Sequence, residues 1–367
     1  MKECRVKDIC IKGSSNLKQK DVDGKKGLYP VYGASGIISS IDTYHQENEY
    51  IAIVKDGSGI GRVSFMPPKS SVIGTMQYIL PKEGYDIRYI GYCLQSLGLN
   101  KYKQGAAIPH IYFRDYGERN IIVTDNINEQ RRIVSYLDSS FKLIDEIKNK
   151  ALKSLTEAKA LFQSALAEAM EPKEGWEEKT FGEVSENIKN INWKNESSAY
   201  KYIDLSSVDR DKSIILNTVI VNKTNAPSRA KQLVNNNDII FATTRPLLRR
   251  VTLIEKEYDK SICSTGFCVI RPNNNIIVPK YVFYVFKDEP FYQYIEPLQN
   301  GASYPAVTDK AVKSYTFSFP KNIEVQKQIV SHLDKLSSKV RAIEEKYQKM
   351  VEECDALKQA MLRDVFE

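Results

Sequence analysis

Apolar residues are distributed along this chain in two ways. Val134, Leu137, Phe141, Ile144, Ile147, Ala151, Leu155, Ala158, Phe162, Ala165 and Ala169 step by threes and fours, with one irregular step at Ile147. Leu333, Leu336, Val340, Ile343, Tyr347, Met350, Cys354, Leu357 and Met361 do the same without interruption. This spacing gathers side chains into one stripe of a helix and predicts two heptad seams. Neither stretch contains Pro or Gly, so nothing in it breaks a helix. At about 1.5 Å per residue, some forty residues make a rod roughly 60 Å long. Elsewhere the apolar runs are short and β-like: "EYIAIVKDGSGIGRVSF" from Glu49, "NDIIFATTRPLLRRVTLI" from Asn237 and "GFCVIRP" from Gly266. Gly, Pro, Asn and Asp punctuate them, which predicts compact α+β domains with much irregular strand.

The two rods are copies. Displacing the chain by 196 residues aligns 126–171 with 322–367 without a gap, and about 17 of the 46 positions are identical. The match opens on "NINEQRRIVSYLD" and "NIEVQKQIVSHLD", and in the same register "GAAIP" (Gly105 to Pro109) falls on "GASYP" (Gly301 to Pro305). "CRVKDI" from Cys4 can likewise be laid on "KTFGEV" from Lys179. The organisation expected is a first domain over 1–125, a helical spacer over 126–171, a second domain over 172–321 and a C-terminal helical spacer over 322–367. Two rods with one apolar stripe each most simply bury those stripes on each other. If the second rod leads back beside the first, the pair is antiparallel. The alternative is that each rod packs on its own globular neighbour. The seam is expected at Leu137, Phe141, Ile144, Ala151 and Leu155 of the first rod, and at Leu333, Leu336, Val340, Ile343, Tyr347 and Leu357 of the second.

Charge separates the parts. The chain's formal charge is +7, yet residues 129–171 hold seven basic and seven acidic side chains and residues 326–367 eight of each. The positive excess lies in the domains, so a polyanion would bind there. The first domain offers Lys55, Arg62, Lys101, Lys103 and Gln104; the second offers Arg229, Lys231, Thr243, Thr244, Arg245, Arg249 and Arg250. Basic, hydroxyl and amide groups in turn-rich stretches suit phosphates and purine edges.

Catalytic signatures are not found. "GSGIG" (Gly57 to Gly61) lacks the Lys-Ser or Lys-Thr pair of a nucleotide-cradling loop and reads as a glycine turn. "MPPK" (Met66 to Lys69) lacks both the polar residue and the aromatic of the Asn/Asp-Pro-Pro-aromatic motif of amino-methyltransferases. No H-E-x-x-H or nucleophile elbow occurs, and His45, His110 and His332 are dispersed. Six cysteines without a C-x-x-C pair point to reduced, buried thiols and no metal site. No apolar run approaches the roughly 20 residues that cross a bilayer, so a soluble, cytoplasmic protein without membrane contact is expected.

The ordered set resembles a known family across essentially the whole chain: domain, long helix opened by an E-Q-x-x-I-x-x-x-L phrase, domain, long helix with the same opening. The phrase stands here as Glu129, Gln130, Ile133 and Leu137, and again as Gln326, Ile329 and Leu333, with Val325 in place of Glu. "WEEKTFGEV" from Trp176, "YPVYGASGI" from Tyr29 and "GASYPAVT" from Gly301 match further marks. The pattern resembles the specificity (S) subunit of type I restriction-modification enzymes. That resemblance implies two α+β target-recognition domains separated by two long antiparallel coiled-coil helices with a pseudo-two-fold internal repeat. Each domain would read one half of a bipartite, asymmetric site on double-stranded DNA, and Ser303 and Tyr304 in the "GASYP" turn join the DNA-facing candidates. The helices would set the spacing and dock two modification (methyltransferase) subunits, which bring S-adenosylmethionine for N6-adenine methylation. Motor-nuclease subunits would bring ATP and Mg. This chain would bind no cofactor and catalyse nothing itself. The rival readings are a DNA-recognition adaptor of another methylation or defence system and, from a different class, a coiled-coil scaffold whose domains bind proteins.

Overall fold

The computed structural model describes residues 1–105 and 109–366; Ala106, Ala107 and Ile108, inside the "GAAIP" phrase, lie outside the described residues. The chain folds as two compact units, Met1–Ser154 with Lys346–Glu367, and Leu155–Glu345. Each unit is an α+β domain backed by a length of both long helices.

In the first unit, strand β1 (Lys2–Arg5) pairs antiparallel with β9 (Asn120–Val123), tying the domain's ends together. A four-stranded sheet runs in the order β2 (Cys10–Ser14), β8 (Met76–Pro81), β5 (Tyr50–Val54), β6 (Val63–Met66). A three-stranded sheet runs β4 (Gly36–Ile41), β3 (Tyr29–Gly33), β7 (Ser71–Val72), its last pair parallel. Short helices α1 (Val6–Ile9), α2 (Gln19–Val22) and α4 (Phe113–Tyr116) fill corners, and α3 (Ile87–Ser96) covers the larger sheet. β5 reads YIAIV because both of its faces are buried.

The second unit repeats this plan. β10 (Trp176–Thr180) pairs with β21 (Thr316–Pro320), and one sheet runs β11 (Ser185–Glu186), β20 (Phe267–Pro272), β17 (Ile239–Ala242), β18 (Val251–Leu253). The other runs β15 (Val219–Val221), β12 (Tyr200–Ile203), β19 (Ser261–Ser264), β16 (Ala230–Val234), and again its β12–β19 pair is parallel. The added strand β16 and the small hairpin β13 (Val208–Asp209) and β14 (Ile214–Ile215) enlarge this domain. Helices α6 (Pro279–Val285), α7 (Glu289–Ile295) and α8 (Asp309–Lys313) complete it.

The long helices are α5 (Ile127–Met170) and α9 (Ile323–Phe366). Each begins with the repeated phrase, in which one side chain caps the helix and two fasten it to the domain. Asn126 and Asn322 cap the first turn, accepting from the Asn128 and Glu324 N–H at 3.0 and 2.9 Å. Gln130 and Gln326 are wholly buried. Gln130 Oε1 accepts from Asp86 N (2.7 Å), while Nε2 donates to Gly84 O (3.2 Å) and Thr124 O (2.8 Å). Gln326 repeats the pattern on Val278 N (2.8 Å), Ile276 O (3.1 Å) and Pro320 O (2.8 Å). About two turns on, Asp138 accepts from Arg88 (2.6 Å) and the Tyr92 hydroxyl, and Asp334 from Lys280 (2.8 Å) and the Tyr284 hydroxyl (2.6 Å). The phrase is therefore a joint between a domain and its own helix.

Both expected packings occur at once. In the first unit Leu137, Phe141 and Ile144 share a core with Cys354, Leu362 and Phe366, and also with domain residues such as Tyr89 and Tyr92, while Ala151 is buried further along α5. Lys148–Asp355 and Lys358–Asp145, both at 2.6 Å, run in opposite directions along the two helices, so these are antiparallel. In the second unit Ala158, Phe162 and Leu166 join Val330, Leu333 and Val340, with Leu336 partly buried beside them. There the end of α5, at Ala165 and Ala169, lies across a groove from the start of α9, at Ile329 and His332.

The seam register of α9 differs from expectation. Leu333, Leu336, Val340, Tyr347 and Cys354 face inward as expected, but beyond Val340 the alternate row is Glu344, Val351 and Lys358, one residue beyond Ile343, Met350 and Leu357. Ile343 and Leu357 are 40% and 51% exposed. The buried row is polar because Lys358 satisfies its charge on Asp145 and lays its ammonium 5.2 Å from the Phe141 ring centre. In α5, Lys148 likewise occupies the inward row, Ile147 is 49% exposed and Leu155 is half-buried.

Candidate nucleic-acid interface

In each domain a turn joins a central strand to the edge strand beside it, β5 to β6 in the first and β17 to β18 in the second, and Pro109 and Pro305, which close the G-x-x-x-P phrases, accept backbone hydrogen bonds from these turns. In the second domain the turn is Thr243–Arg250. Val307 N donates to Thr243 O (3.0 Å), Arg245 N to Pro305 O (2.6 Å), and Asn300 and Ala306 exchange two bonds of 2.9 Å that close the loop. Gly301 starts this loop at φ +96°, a conformation in which a side chain is strained. The neighbouring turn after β19 joins the cluster: Thr243 N and its hydroxyl both donate to Gly266 O at 2.9 Å, and Thr265 N donates to Arg229 O at 2.9 Å. Thus Arg229, Thr244, Arg245, Ser303 and Tyr304 meet at one end of the domain.

Within that cluster the side chains differ in availability. Tyr304 is 70% exposed, and the Arg245 guanidinium lies 4.7 Å from its ring centre, with one N–H towards Ser303 O at 3.4 Å. Arg249 is engaged: it pairs with Glu289 at 2.7 Å and covers the Tyr292 ring at 4.1 Å. Burial pushes the Tyr292 phenol above its ordinary range, keeping it a neutral surface for that guanidinium. Arg250 turns inward, its Nε buried with no hydrogen-bond partner among the described residues. Thr243, expected to face DNA, is buried with its hydroxyl spent on the backbone of Gly266, so it shapes the turn and contacts nothing outside. Lys231 is exposed on β16.

The first domain builds the corresponding place from other residues. Its turn holds "GSGIG": Gly61 has φ +84°, and a Cβ there would stand 2.4 Å from Asn100 N, so only glycine lets the turn rest on the segment bearing Lys101 and Lys103. Exposed Arg62 donates to Ala34 O at the β3–β4 hairpin tip. Lys55 accepts at its carbonyl from Ile111 N (3.0 Å), and Gln104 exchanges two backbone bonds of 2.8 Å with His110 while its side chain donates to Asp115 (2.9 Å). Lys55, Arg62, Lys101, Lys103 and Gln104 therefore surround one turn. His110, whose ring meets the Asp56 carboxylate and lies 4.1 Å from that of Tyr112, escaped sequence reasoning because Asp56 and His110 are 54 residues apart. The Gln and Asp of the joints were missed as well, although their recurrence in both copies was the available signal.

The six cysteines are free, no metal-binding cluster occurs among the described residues, and none of their helices is long and apolar enough to cross a membrane. Comparison with known proteins agrees with the repeated plan. A family described as the type I restriction modification DNA specificity domain matches residues 1–157 and again 173–353. The HindI specificity subunit of Haemophilus influenzae is 27% identical over 167 residues, which is 45% of this chain but 36% of that protein, so the match spans only about a third of the relative's length. Among solved structures, the HsdS subunit of Thermoanaerobacter tengcongensis is 34% identical over 47% of this chain and 44% of its own, with a TM-score of 0.43. A chain from a study of type I R-M complex assembly and conformational transition is 32% identical over 53% and 50%, with a TM-score of 0.49. With two matches to that family model, one on each half, the chain belongs to the type I restriction modification DNA specificity domain family.

Proposed function

We propose that this chain is the DNA-recognition subunit of a type I restriction-modification complex, each domain reading one half of a bipartite, asymmetric duplex site. One observation carries the reading: the same joint and strand plan present the same pair of loops twice, with different side chains at their tips. Equivalent frames with unlike tips serve two unlike half-sites. The helices would set the separation of the half-sites, and two modification subunits would dock on them.

The repeat supports that docking. Ile147 and Ile343 are equivalent and identical, as are Leu161 and Leu357, and all four are exposed; the other exposed apolar residues of the helices, Tyr136, Leu143, Leu152 and Val325, have polar equivalents in the other copy. Each unit carries one residue of each pair. Repeated apolar side chains outside the seam suit two copies of one partner. S-adenosylmethionine would be held by those partners, ATP and Mg by motor-nuclease subunits, and this chain would catalyse no step, working in the cytoplasm beside the DNA. The test is a salt titration of binding to duplex DNA by the chain with its modification subunit. Phosphate-dominated binding weakens steeply as salt rises; a complex with no duplex affinity at low salt refutes the reading.

A further inference from the structure

We propose that Arg245 reads a guanine in the half-site taken by the second domain, with Tyr304 as its brace. The inference rests on the DNA-recognition reading above and adds the identity of a base and the side chain that selects it. Guanine presents two acceptors, N7 and O6, on its major-groove edge, and a planar guanidinium offers two parallel N–H groups that match them. An arginine used this way needs exposure, donors not already spent on a carboxylate, and a held orientation.

Arg245 meets all three conditions. Its residue is exposed, and no ion pair engages it among the described residues. The one bond its side chain makes, to Ser303 O, is long at 3.4 Å and leaves most of its donors free. Orientation comes from two sides. The backbone sits at φ +50°, an uncommon conformation for a residue with a side chain, secured by the 2.6 Å bond from Arg245 N to Pro305 O. The guanidinium rests on Tyr304, whose loop is closed by the Asn300–Ala306 pair. Contact with an aromatic ring occupies the face of a guanidinium and leaves the N–H groups, which lie in its plane, able to donate elsewhere. Arg249, four residues further on, is bound to Glu289 and so already spends its guanidinium on a carboxylate. The cluster therefore contains one preorganised base reader and one structural arginine.

The experiment uses the chain assembled with its modification subunit and a duplex library randomised across the half-sites. The wild-type complex should select guanine at a position that Arg245→Ala releases, with preference there falling about 5- to 150-fold and the other positions unchanged. Arg245→Lys should fail in the same way, since an ammonium keeps the charge and loses the fork. Tyr304→Ala should give a partial loss at the same position. A uniform fall in affinity across sequences would make Arg245 a phosphate contact and overturn the proposal; so would release of a base other than guanine, or no change. If the wild-type complex itself selects no sequence, the recognition reading fails first, a result distinct from any of these.

Discussion

Replacing Gln326 with Leu tests whether the repeated phrase is a joint. Leucine nearly fills the volume, but three main-chain groups lose their partner: Val278 N–H, held at 2.8 Å, and the carbonyls of Ile276 and Pro320, held at 3.1 and 2.8 Å. A buried N–H without a partner costs about 1–3 kcal/mol, and a carbonyl somewhat less. Together they amount to about 4 kcal/mol, offset by about 1–2 kcal/mol from burying an aliphatic side chain in place of an amide. The net loss expected is about 2–3 kcal/mol, concentrated where α9 meets the start of α6. A chain with two units need not unfold in one step, so the suitable assay is hydrogen exchange at the Val278 amide. It should exchange about 30- to 150-fold faster, and Gln130→Leu should do the same at Asp86. Acceleration below about threefold at both would show that water replaces the side chain and that the joint is not held by the glutamine.

Other outcomes follow from particular side chains. Lys287, half-buried and bonded to Ser213 at 2.9 Å, is pushed down to about 8, first by desolvation and then by Arg341, against smaller opposing effects of Glu344 and Asp211. Because the folded chain gives up this proton before the unfolded chain does, the charge weakens the fold at neutral pH, and stability should rise from about pH 8 towards 10. Lys287→Met should raise the melting temperature at pH 7 and flatten that rise; an unchanged profile refutes the assignment. Gly61→Ala should destabilise the first domain by about 2–4 kcal/mol, since the added Cβ meets main chain at 2.4 Å and φ is +84°; thermal unfolding reads it. The double change Ile343→Arg and Leu357→Arg should leave helix content and melting intact, because both sites are exposed, and abolish co-purification with the modification subunit. A fall in melting temperature above about 5 °C would instead return these residues to the seam.

The long helices were legible because periodicity and freedom from Pro and Gly act over forty residues, and local noise averages out. Their register was not. Choosing the most apolar alternate row selects Ile343 and Leu357, whereas packing selects half-buried Glu344 and Lys358, the latter burying its stem while its charge pairs with Asp145. Moving one row by a single residue turns it by about 100° around the helix axis, enough to exchange Ile343 and Leu357 for their neighbours while Leu333, Val340 and Cys354 stay inward. The basic turns were legible as candidates from composition, since Arg245, Arg249 and Arg250 lie within six residues. Their separate roles depended on partners distant in sequence: Glu289 for Arg249, Ser303 and Tyr304 for Arg245.

That division explains why the phrase at each helix start repeats while the domain tips diverge. Gln326 and Asp334 bind α9 to main chain and side chains of the domain's own frame, at Ile276, Val278, Lys280 and Tyr284, and none of these lies in the tip loops. The turn Thr243–Arg250 and the loop Asn300–Ala306 are bonded to each other and to the β19–β20 turn. Changes at the tip thus have a path to alter recognition without disturbing the joint. Exchanging both loops together for those of a family member with another target should transfer base preference and leave the Val278 amide protected. Exchanging the turn alone should fail, because the bonds from Arg245 N to Pro305 O and from Val307 N to Thr243 O are made between the two. If the turn alone transfers preference, the loops are independent and the bonds between them do not set the reading geometry.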